Sequence, residues 1–142
     1  MTEFLGSWQW SSNSESFDDY LKEIGINIVL RKLSRLAHPT VTFLKVNDTW
    51  TMRTDTVVKS ISADFNLMKE FKEQTVDGRT LNSTFSIEQV VTQDSKTKVI
   101  LRQKQIDSNG LISIIDRWIE EDLMHVEIKC NNIQASAVFK KK

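Results

Sequence analysis

Residues 124–139, MHVEIKCNNIQASAVF, decide the fold class, because apolar and polar side chains alternate along both sides of a short turn. Side chains that follow one another in a β-strand point to opposite faces, so this alternation predicts two strands with one buried face each. Asn131-Asn132 supplies the turn between them. The residues predicted on the buried face are Met124, Val126, Ile128, Cys130, Ala135, Ala137 and Phe139.

The same period of two extends back to Val41, so most of the chain is predicted to be strand. Turn-forming residues recur at 47–48, 77–78, 108–110 and 120–122, and with a first strand near residues 4–10 they give roughly nine or ten strands. Many short strands with regular turns indicate a sandwich or a barrel. A barrel of about that many strands is too wide for modest side chains to fill, so it should keep space for solvent or a ligand.

Helical periodicity is confined to the segment before the single proline, Pro39. Ser16 and Asp19 have the spacing of a capping box, and Gly25 is suited to end the first helix. A second helix is predicted to follow at once and to stop before Pro39. We expect the two amphipathic helices to cover one end of the barrel. Their apolar stripes are Phe17, Tyr20, Leu21 and Ile24, then Ile26, Val29, Leu30 and Leu33.

Composition indicates one soluble domain spanning 1–142. Hydrophobic residues make up 39% of the chain and charged residues 27%, and no linker rich in Pro, Gly or Ser divides it. The 19 basic and 19 acidic residues cancel, which gives no sign of a nucleic-acid partner. One cysteine, no apolar span of about 18 residues and no signal-peptide pattern favour a reducing, cytoplasmic location.

Enzymatic function is not expected from the sequence. His38 lies beside Pro39 and His125 falls on the polar side of its strand, and neither has an evident catalytic partner. No nucleophile elbow, phosphate-binding loop, dinucleotide fingerprint or zinc-helix motif occurs. Cys130 is predicted to pack inward as a small apolar residue. Neither a cofactor nor a metal ion is expected.

Three groups of residues carry a family resemblance. They are residues 4–8 (FLGSW) with 17–20 (FDDY) and Arg31-Lys32, then 65–79 with the pattern FxLxxxFxExTxDGR, and finally Arg117 with the ending VFKK. Together they resemble the intracellular fatty-acid-binding proteins over the whole chain. The resemblance implies an all-β, ten-stranded antiparallel up-and-down barrel with a helix-turn-helix lid between the first two strands. It also implies a monomer that binds a long-chain fatty acid or similar lipid without covalent chemistry.

The resemblance implies a set of ligand-binding positions around the cavity and its portal. The portal lies between the second helix and nearby turns, and Val58 stands where the family often has a bulky aromatic residue. Trp8 is expected to seal the base of the barrel rather than to touch the ligand. The implied binding residues are Arg117, Phe139, Val126, Ile128, Ala137, Phe17, Tyr20, Ile26, Val29, Leu30, Ser34, Pro39, Val41, Thr54, Thr56, Val58, Val76, Asp77 and Arg79.

The chain departs from the family at the carboxylate site. Family members usually hold the carboxylate with an Arg-x-Tyr near the C-terminus and an arginine one hairpin earlier. Arg117 matches the earlier arginine, but Ala137 and Phe139 stand where the second arginine and the tyrosine would be. One of Arg102, Gln103 and Lys104 is a candidate to point inward and supply a polar partner, because the long segment 89–98 leaves the strand phase open.

Arg117 is the residue that the chemistry of a fatty acid singles out. Burying a methylene contributes about 0.8 kcal/mol, so an apolar wall accounts for the tail. A carboxylate is costly to bury alone, and an arginine is a planar, charged, bidentate partner for it. The competing interpretation is that Arg117 is a solvated arginine on the outer face of its strand. If it points inward, ordered water must hold it when no ligand is bound.

Two other functions remain open from the sequence. The first is a membrane or protein interaction module of the same fold with an unused cavity, and the missing second arginine favours it. The second is a carrier for a bulkier ligand, such as a retinoid, a bile-acid-like or a sterol-like compound. Lys22, Arg31 and Lys32 are interpreted as the solvated side of the helices, with transient contact to anionic membrane surfaces as the alternative.

Overall fold

A computed structural model describes residues 2–142. Its elements follow one another with short connections, and the two helices come between the first and second strands. In order they are a 3₁₀ helix (Thr2–Phe4), β1 (Gly6–Asn13), α1 (Phe17–Glu23), α2 (Ile28–Ser34), β2 (Thr40–Val46), β3 (Thr49–Asp55), β4 (Ser60–Asn66), β5 (Phe71–Gln74), β6 (Thr80–Val91), β7 (Thr97–Ile106), β8 (Ile112–Glu120), β9 (Leu123–Cys130) and β10 (Ile133–Lys141).

The ten strands form one antiparallel sheet in the order β4-β3-β2-β1-β10-β9-β8-β7-β6-β5. Pairing of β1 with β10 brings the two ends of the chain together and nearly closes the sheet into a barrel. The predicted fold class is confirmed. The first strand was predicted near residues 4–10, but it begins two residues later and ends three residues later, because Phe4 belongs to the 3₁₀ helix and β1 runs on to Asn13.

The hairpin that decided the fold class has the predicted register. Ala137 pairs with Val126 and Ala135 with Ile128 across β9 and β10. Both members of each pair are buried, as is Cys130. The outward neighbours on these strands are half-buried or exposed, so one face of the hairpin forms the inner wall of the barrel.

Stacked aromatic rings lie where the sheet is open between β4 and β5. Phe65 on β4 stacks on Phe85 of β6 with 3.9 Å between ring centroids, and on Phe71 of β5 at 5.6 Å. Trp50 of β3 continues the stack at 6.1 Å from Phe65. Aromatic pairs add to the stability gained from burial, so these rings join two strands that share no hydrogen-bond ladder.

The barrel end opposite the helices is closed by the 3₁₀ helix and the start of β1. Phe4 and Trp8 are both almost fully buried. The Trp8 indole Nε1 donates to the Phe4 carbonyl oxygen at 2.9 Å, which satisfies the one polar atom of that ring. Their burial assigns Trp8 to the packed base of the molecule.

The helix α1 packs against the barrel. Tyr20 and Ile24 are buried, and the Asn131 amide of the β9–β10 turn donates to Glu23 at 2.9 Å. The predicted capping box is wrong: Ser16 precedes the helix, but its hydroxyl contacts Ser14 and caps no backbone N–H.

The helix α2 is held much less firmly. Asn27 caps it by accepting from the Leu30 backbone N–H at 2.9 Å. None of its side chains is buried. The predicted stripe therefore covers less of the barrel than its periodicity indicated, and only Ile26, ahead of the helix, packs into the core.

Candidate functional site

A cavity of about 450 Å³ lies inside the barrel beneath the two helices. This volume is within the usual range for small-molecule sites, which are mostly apolar with a few placed polar groups. Its wall comes from both helices, from β2 to β5 and from β7 to β10, so it occupies the barrel interior rather than a surface groove. The space predicted from the strand count is therefore present.

The structure brings together all of the implied binding residues except Val29. Val29 is 64% exposed and does not line the cavity. Successive helix residues point about 100° apart, so Leu30 borders the cavity while Val29 faces away from it. The residues that do line it are Arg117, Phe139, Val126, Ile128, Ala137, Phe17, Tyr20, Ile26, Leu30, Ser34, Pro39, Val41, Thr54, Thr56, Val58, Val76, Asp77 and Arg79.

Arg117 projects inward from β8 and is 8% exposed. Its Nη1 donates to Gln103 Oε1 at 3.0 Å, and its Nη2 lies 3.9 Å from the Met52 sulfur. Among residues 2–142 no carboxylate lies within 4 Å of the guanidinium. A thioether is a weak acceptor, so one edge of the guanidinium has no strong protein partner.

Two aromatic rings flank this buried cation. The Arg117 Cζ lies 5.7 Å from the ring centroid of Phe43 and 5.8 Å from that of Phe85. The face of an aromatic ring attracts a cation, which offsets part of the cost of removing the guanidinium from water. Phe43 and Phe85 are fully buried, so they also hold the guanidinium in place.

Burial lowers the pKa of Arg117 to about 10, with Glu73, Asp116 and Tyr20 acting in the opposite direction. The guanidinium therefore stays protonated at neutral pH. Removing a charge from water is unfavourable, so an anion or a strong acceptor beside the guanidinium would stabilise it.

A buried carboxylate near Arg117 was not among the predicted site residues. Glu73 on β5 is 5% exposed and lines the cavity. Its Oε1 accepts from Ser83 Oγ at 2.5 Å, Gln103 Nε2 at 2.8 Å and Gln105 Nε2 at 3.0 Å. The sequence contained a signal for this burial: Glu73 comes two residues after Phe71, and residues two apart in a strand lie on the same face.

Gln103 is the inward-facing member of the three candidates on β7. It is fully buried and bridges Arg117 and Glu73 through its side-chain amide. Arg102 points outward and forms two hydrogen bonds with Asp116 at 2.8 and 2.9 Å, and Lys104 is exposed. The strand phase that the sequence left open is thereby settled.

The phenol of Tyr20 reaches the cavity from α1 and is 5% exposed. Burial is the main cause that raises its pKa, and the nearby Arg79 opposes the shift. Asp77 and Arg79, on the β5–β6 turn, form an ion pair at 2.7 Å. Tyr20, Asp77 and Arg79 line the same cavity as Arg117.

The carboxylate anchor that the family would supply from β10 is absent. Ala137 and Phe139 line the cavity and contribute apolar surface. Among residues 2–142, the buried charged side chains are Arg117 and Glu73, and neither comes from β10.

Each histidine lies near a tryptophan ring: the ring centroids are 4.8 Å apart for His38 and Trp10 and 5.5 Å apart for His125 and Trp118. One expectation about the basic residues of the helices was wrong, because Arg31 is not a solvated residue. Its side chain is 15% exposed, donates to the Ile26 carbonyl oxygen at 2.8 Å and lies 3.4 Å from Asp18 of α1.

No group of three or more His, Cys, Asp or Glu side chains suited to a metal ion is present in the described part of the chain. Within residues 2–142, neither helix has the length and apolar character needed to span a bilayer.

Comparison with known proteins gives a consistent result. Residues 5–140 match the model of the lipocalin / cytosolic fatty-acid binding protein family. The chain is 38% identical to a fatty acid-binding protein of Clonorchis sinensis, covering 94% of this chain and 93% of that protein. It is 36% identical to human fatty acid-binding protein 9, over 97% and 96% of the two chains.

A solved structure agrees with these sequence matches. The Schistosoma mansoni fatty acid binding protein in complex with arachidonic acid superposes with a TM-score of 0.86 at 28% identity. The superposition covers 100% of this chain and 98% of that one.

Proposed function

Because this chain belongs to the lipocalin / cytosolic fatty-acid binding protein family, we propose that it binds one long-chain fatty acid reversibly in the barrel cavity and carries it through the cytosol. Relatives named as fatty acid-binding proteins, and a solved relative that holds arachidonic acid, support this ligand class. The role is that of a carrier, in which the ligand leaves chemically unchanged.

The observation that carries the proposal is the placement of Arg117. A buried cation that faces an apolar cavity, without a direct ion pair among residues 2–142, is unfavourable until an acceptor occupies its open edge. A fatty-acid carboxylate supplies that acceptor, and a hydrogen bond between charged groups is about twice as strong as a neutral one. Gln103 fixes the guanidinium so that Nη2 is the edge left for the ligand.

The tail of the fatty acid would lie along the apolar wall. Val126, Ile128, Ala137 and Phe139 form a continuous strip of that wall from β9 to β10. At about 0.8 kcal/mol for each buried methylene, the tail supplies most of the affinity. The headgroup contact then determines the orientation of the ligand and part of its specificity.

We assign the exchange of ligand to the region around α2, with transient contact to membrane surfaces. Apolar side chains of α2 and its end are 53–65% exposed, and Lys32 and Arg35 lie among them. Exposed apolar residues next to basic ones suit the surface of an anionic bilayer. The exposed apolar residues are Ile28, Val29, Leu33 and Leu36.

A displacement titration tests the proposal. Delipidated protein is titrated with a fluorescent fatty acid, which is then displaced by the unlabelled acid, while native mass spectrometry counts bound lipids. Saturable binding of one fatty acid per monomer is expected. The absence of saturable, displaceable binding would contradict a carrier and favour an interaction module of the same fold.

A further inference from the structure

The polar end of the cavity contains a carboxylate, Glu73, as well as the Arg117 guanidinium. Glu73 and Arg117 approach the Gln103 amide from its two sides, with Glu73 accepting from Nε2 at 2.8 Å and Arg117 donating to Oε1 at 3.0 Å. Because the amide serves both of them, its orientation is fixed. The charged groups on its two sides, Glu73 and Arg117, are then the strongest hydrogen-bonding partners available to a headgroup.

Each of the two charged groups keeps one unused position. The three described hydrogen bonds to Glu73 all end on Oε1, and within residues 2–142 Oε2 has no protein donor. In the same part of the chain, Arg117 Nη2 has a single contact of this kind, with the Met52 sulfur at 3.9 Å. One strong acceptor and one strong donor thus line the same cavity.

The formal charges in this part of the cavity cancel. The other charged lining residues are compensated or solvated: Asp77 pairs with Arg79 at 2.7 Å, Arg35 lies 3.9 Å from Asp18, and Lys59 is exposed. Ala137 adds no second positive charge from β10. An ionised headgroup would leave the enclosed pair with a net negative charge, whereas a neutral headgroup would not.

From these contacts we propose that Glu73 is a specificity-determining residue that, together with Arg117, selects a headgroup able both to accept and to donate a hydrogen bond. A long-chain alcohol or primary amide meets both requirements: its oxygen accepts from Arg117 Nη2 and its O–H or N–H donates to Glu73 Oε2. Such a ligand binds about as tightly as the carboxylate with the same tail. This inference rests on the proposed function, since it concerns the headgroup of the same lipid site.

The test compares two ligands and three proteins by isothermal titration calorimetry. Dodecanoic acid and dodecan-1-ol share one tail, and at about pH 8 the free acid is ionised. Wild type is compared with Glu73→Gln, which keeps an oxygen for the three protein donors but removes the charge. The matched control is Glu70→Gln, an exposed glutamate three residues away. Thermal unfolding of all three proteins reports whether they are folded.

The proposal predicts that wild type binds the alcohol and the acid with affinities within about ten-fold of each other. Glu73→Gln should strengthen binding of the acid by about ten-fold and leave binding of the alcohol within about three-fold, while Glu70→Gln changes neither. An unchanged ratio of the two affinities in Glu73→Gln would overturn the role of Glu73 and leave the proposed function intact. Binding of the acid only after the Glu73→Gln change would support the role of Glu73 and contradict fatty-acid transport. Binding of neither ligand by any folded variant would contradict both.

Discussion

Arg117 and Gln103 form the central contact of the cavity: Arg117 Nη1 donates to Gln103 Oε1 at 3.0 Å, across the β7–β8 pairing. The same amide donates to Glu73, so one neutral side chain separates a buried cation from a buried anion. An amide suits this position because it has an acceptor on one side and a donor on the other. The headgroup chemistry of the cavity depends on this arrangement.

Replacing Gln103 by leucine should lower the free energy of unfolding by about 1–3 kcal/mol, because Arg117 loses its amide acceptor and Glu73 loses one donor. Urea denaturation followed by circular dichroism measures the change. Gln134→Leu, on the exposed face of β10, is the matched control and should alter stability by less than about 0.5 kcal/mol. Equal effects of the two substitutions would show that the bridge contributes nothing.

The phenol of Tyr20 should titrate above the ordinary value of 10.0, because burial raises its pKa in the folded protein. It is the one tyrosine in the sequence, so tyrosinate absorbance reports it directly. Above about pH 10 the unfolded chain loses this proton while the folded chain keeps it, so the free energy of unfolding falls as the pH rises. Below that pH the group adds no pH dependence.

The matched measurement for Tyr20 is a second titration in denaturant, where the pKa should return to about 10. Tyr20→Phe should unfold with a shallower loss of stability in the same alkaline range. A folded-state titration at or below the denatured one would contradict the burial of the phenol.

Loss of the Asp18 carboxylate should speed the exchange of ligand. Asp18 on α1 lies 3.4 Å from Arg31 and 3.9 Å from Arg35, and these pairs connect α1 with the otherwise exposed α2. Because the pairs are partly exposed, Asp18→Asn should raise the rate of fatty-acid transfer to vesicles roughly two- to five-fold, as followed by stopped-flow fluorescence. Asp19→Asn, on the exposed neighbour, should leave the rate unchanged. Identical transfer rates in the two variants would contradict the idea that α2 must separate from α1 for the ligand to exchange.

Gly6 should tolerate no side chain without cost. Its φ is +109°, and a Cβ would lie 2.5 Å from the Lys141 Nζ, which donates to the Leu5 carbonyl oxygen at 2.6 Å. Gly6→Ala should therefore lower the free energy of unfolding by roughly 1–3 kcal/mol in urea denaturation. Gly110→Ala, with a φ of +81° and open space around its Cβ, carries the backbone strain alone and should cost less. The reverse order would mean that Lys141 moves aside freely.

The strand content of this chain could be predicted because alternation of apolar and polar residues follows directly from the geometry of a half-buried strand. The hairpin of β9 and β10 followed from this alternation, and the placement of the helices between β1 and β2 followed from the helical periodicity ahead of Pro39. The helical periodicity of apolar residues could not show whether the apolar face of α2 packs against the barrel. Val29 and Leu33 belong to a regular apolar stripe, yet in the folded protein both are exposed.

The polar half of the site was harder to predict, since its members come from strands far apart in sequence. Glu73 on β5 meets Gln103 on β7 only because β6 and β7 pair in one register, in which Phe85 lies opposite Gln103. One residue of slip would have turned Arg102 and Lys104 inward instead. The spacing from Phe71 places Glu73 on the inner face of β5. The spacing does not show that the Gln103 and Gln105 amides donate to its carboxylate and so offset the cost of burying it.

The most direct test of the carrier mechanism is the affinity of Arg117→Gln for a fatty acid, measured by displacement of a fluorescent fatty acid and compared with Arg102→Gln. Arg102 lies on the neighbouring strand and pairs with Asp116 on the outside of the barrel, so its loss removes the same charge without touching the cavity. We predict that Arg117→Gln weakens binding by about 1–3 kcal/mol, a rise in Kd of roughly five- to 150-fold, while Arg102→Gln binds like wild type. An unchanged Kd in a folded Arg117→Gln protein would contradict the proposal that this guanidinium holds the carboxylate.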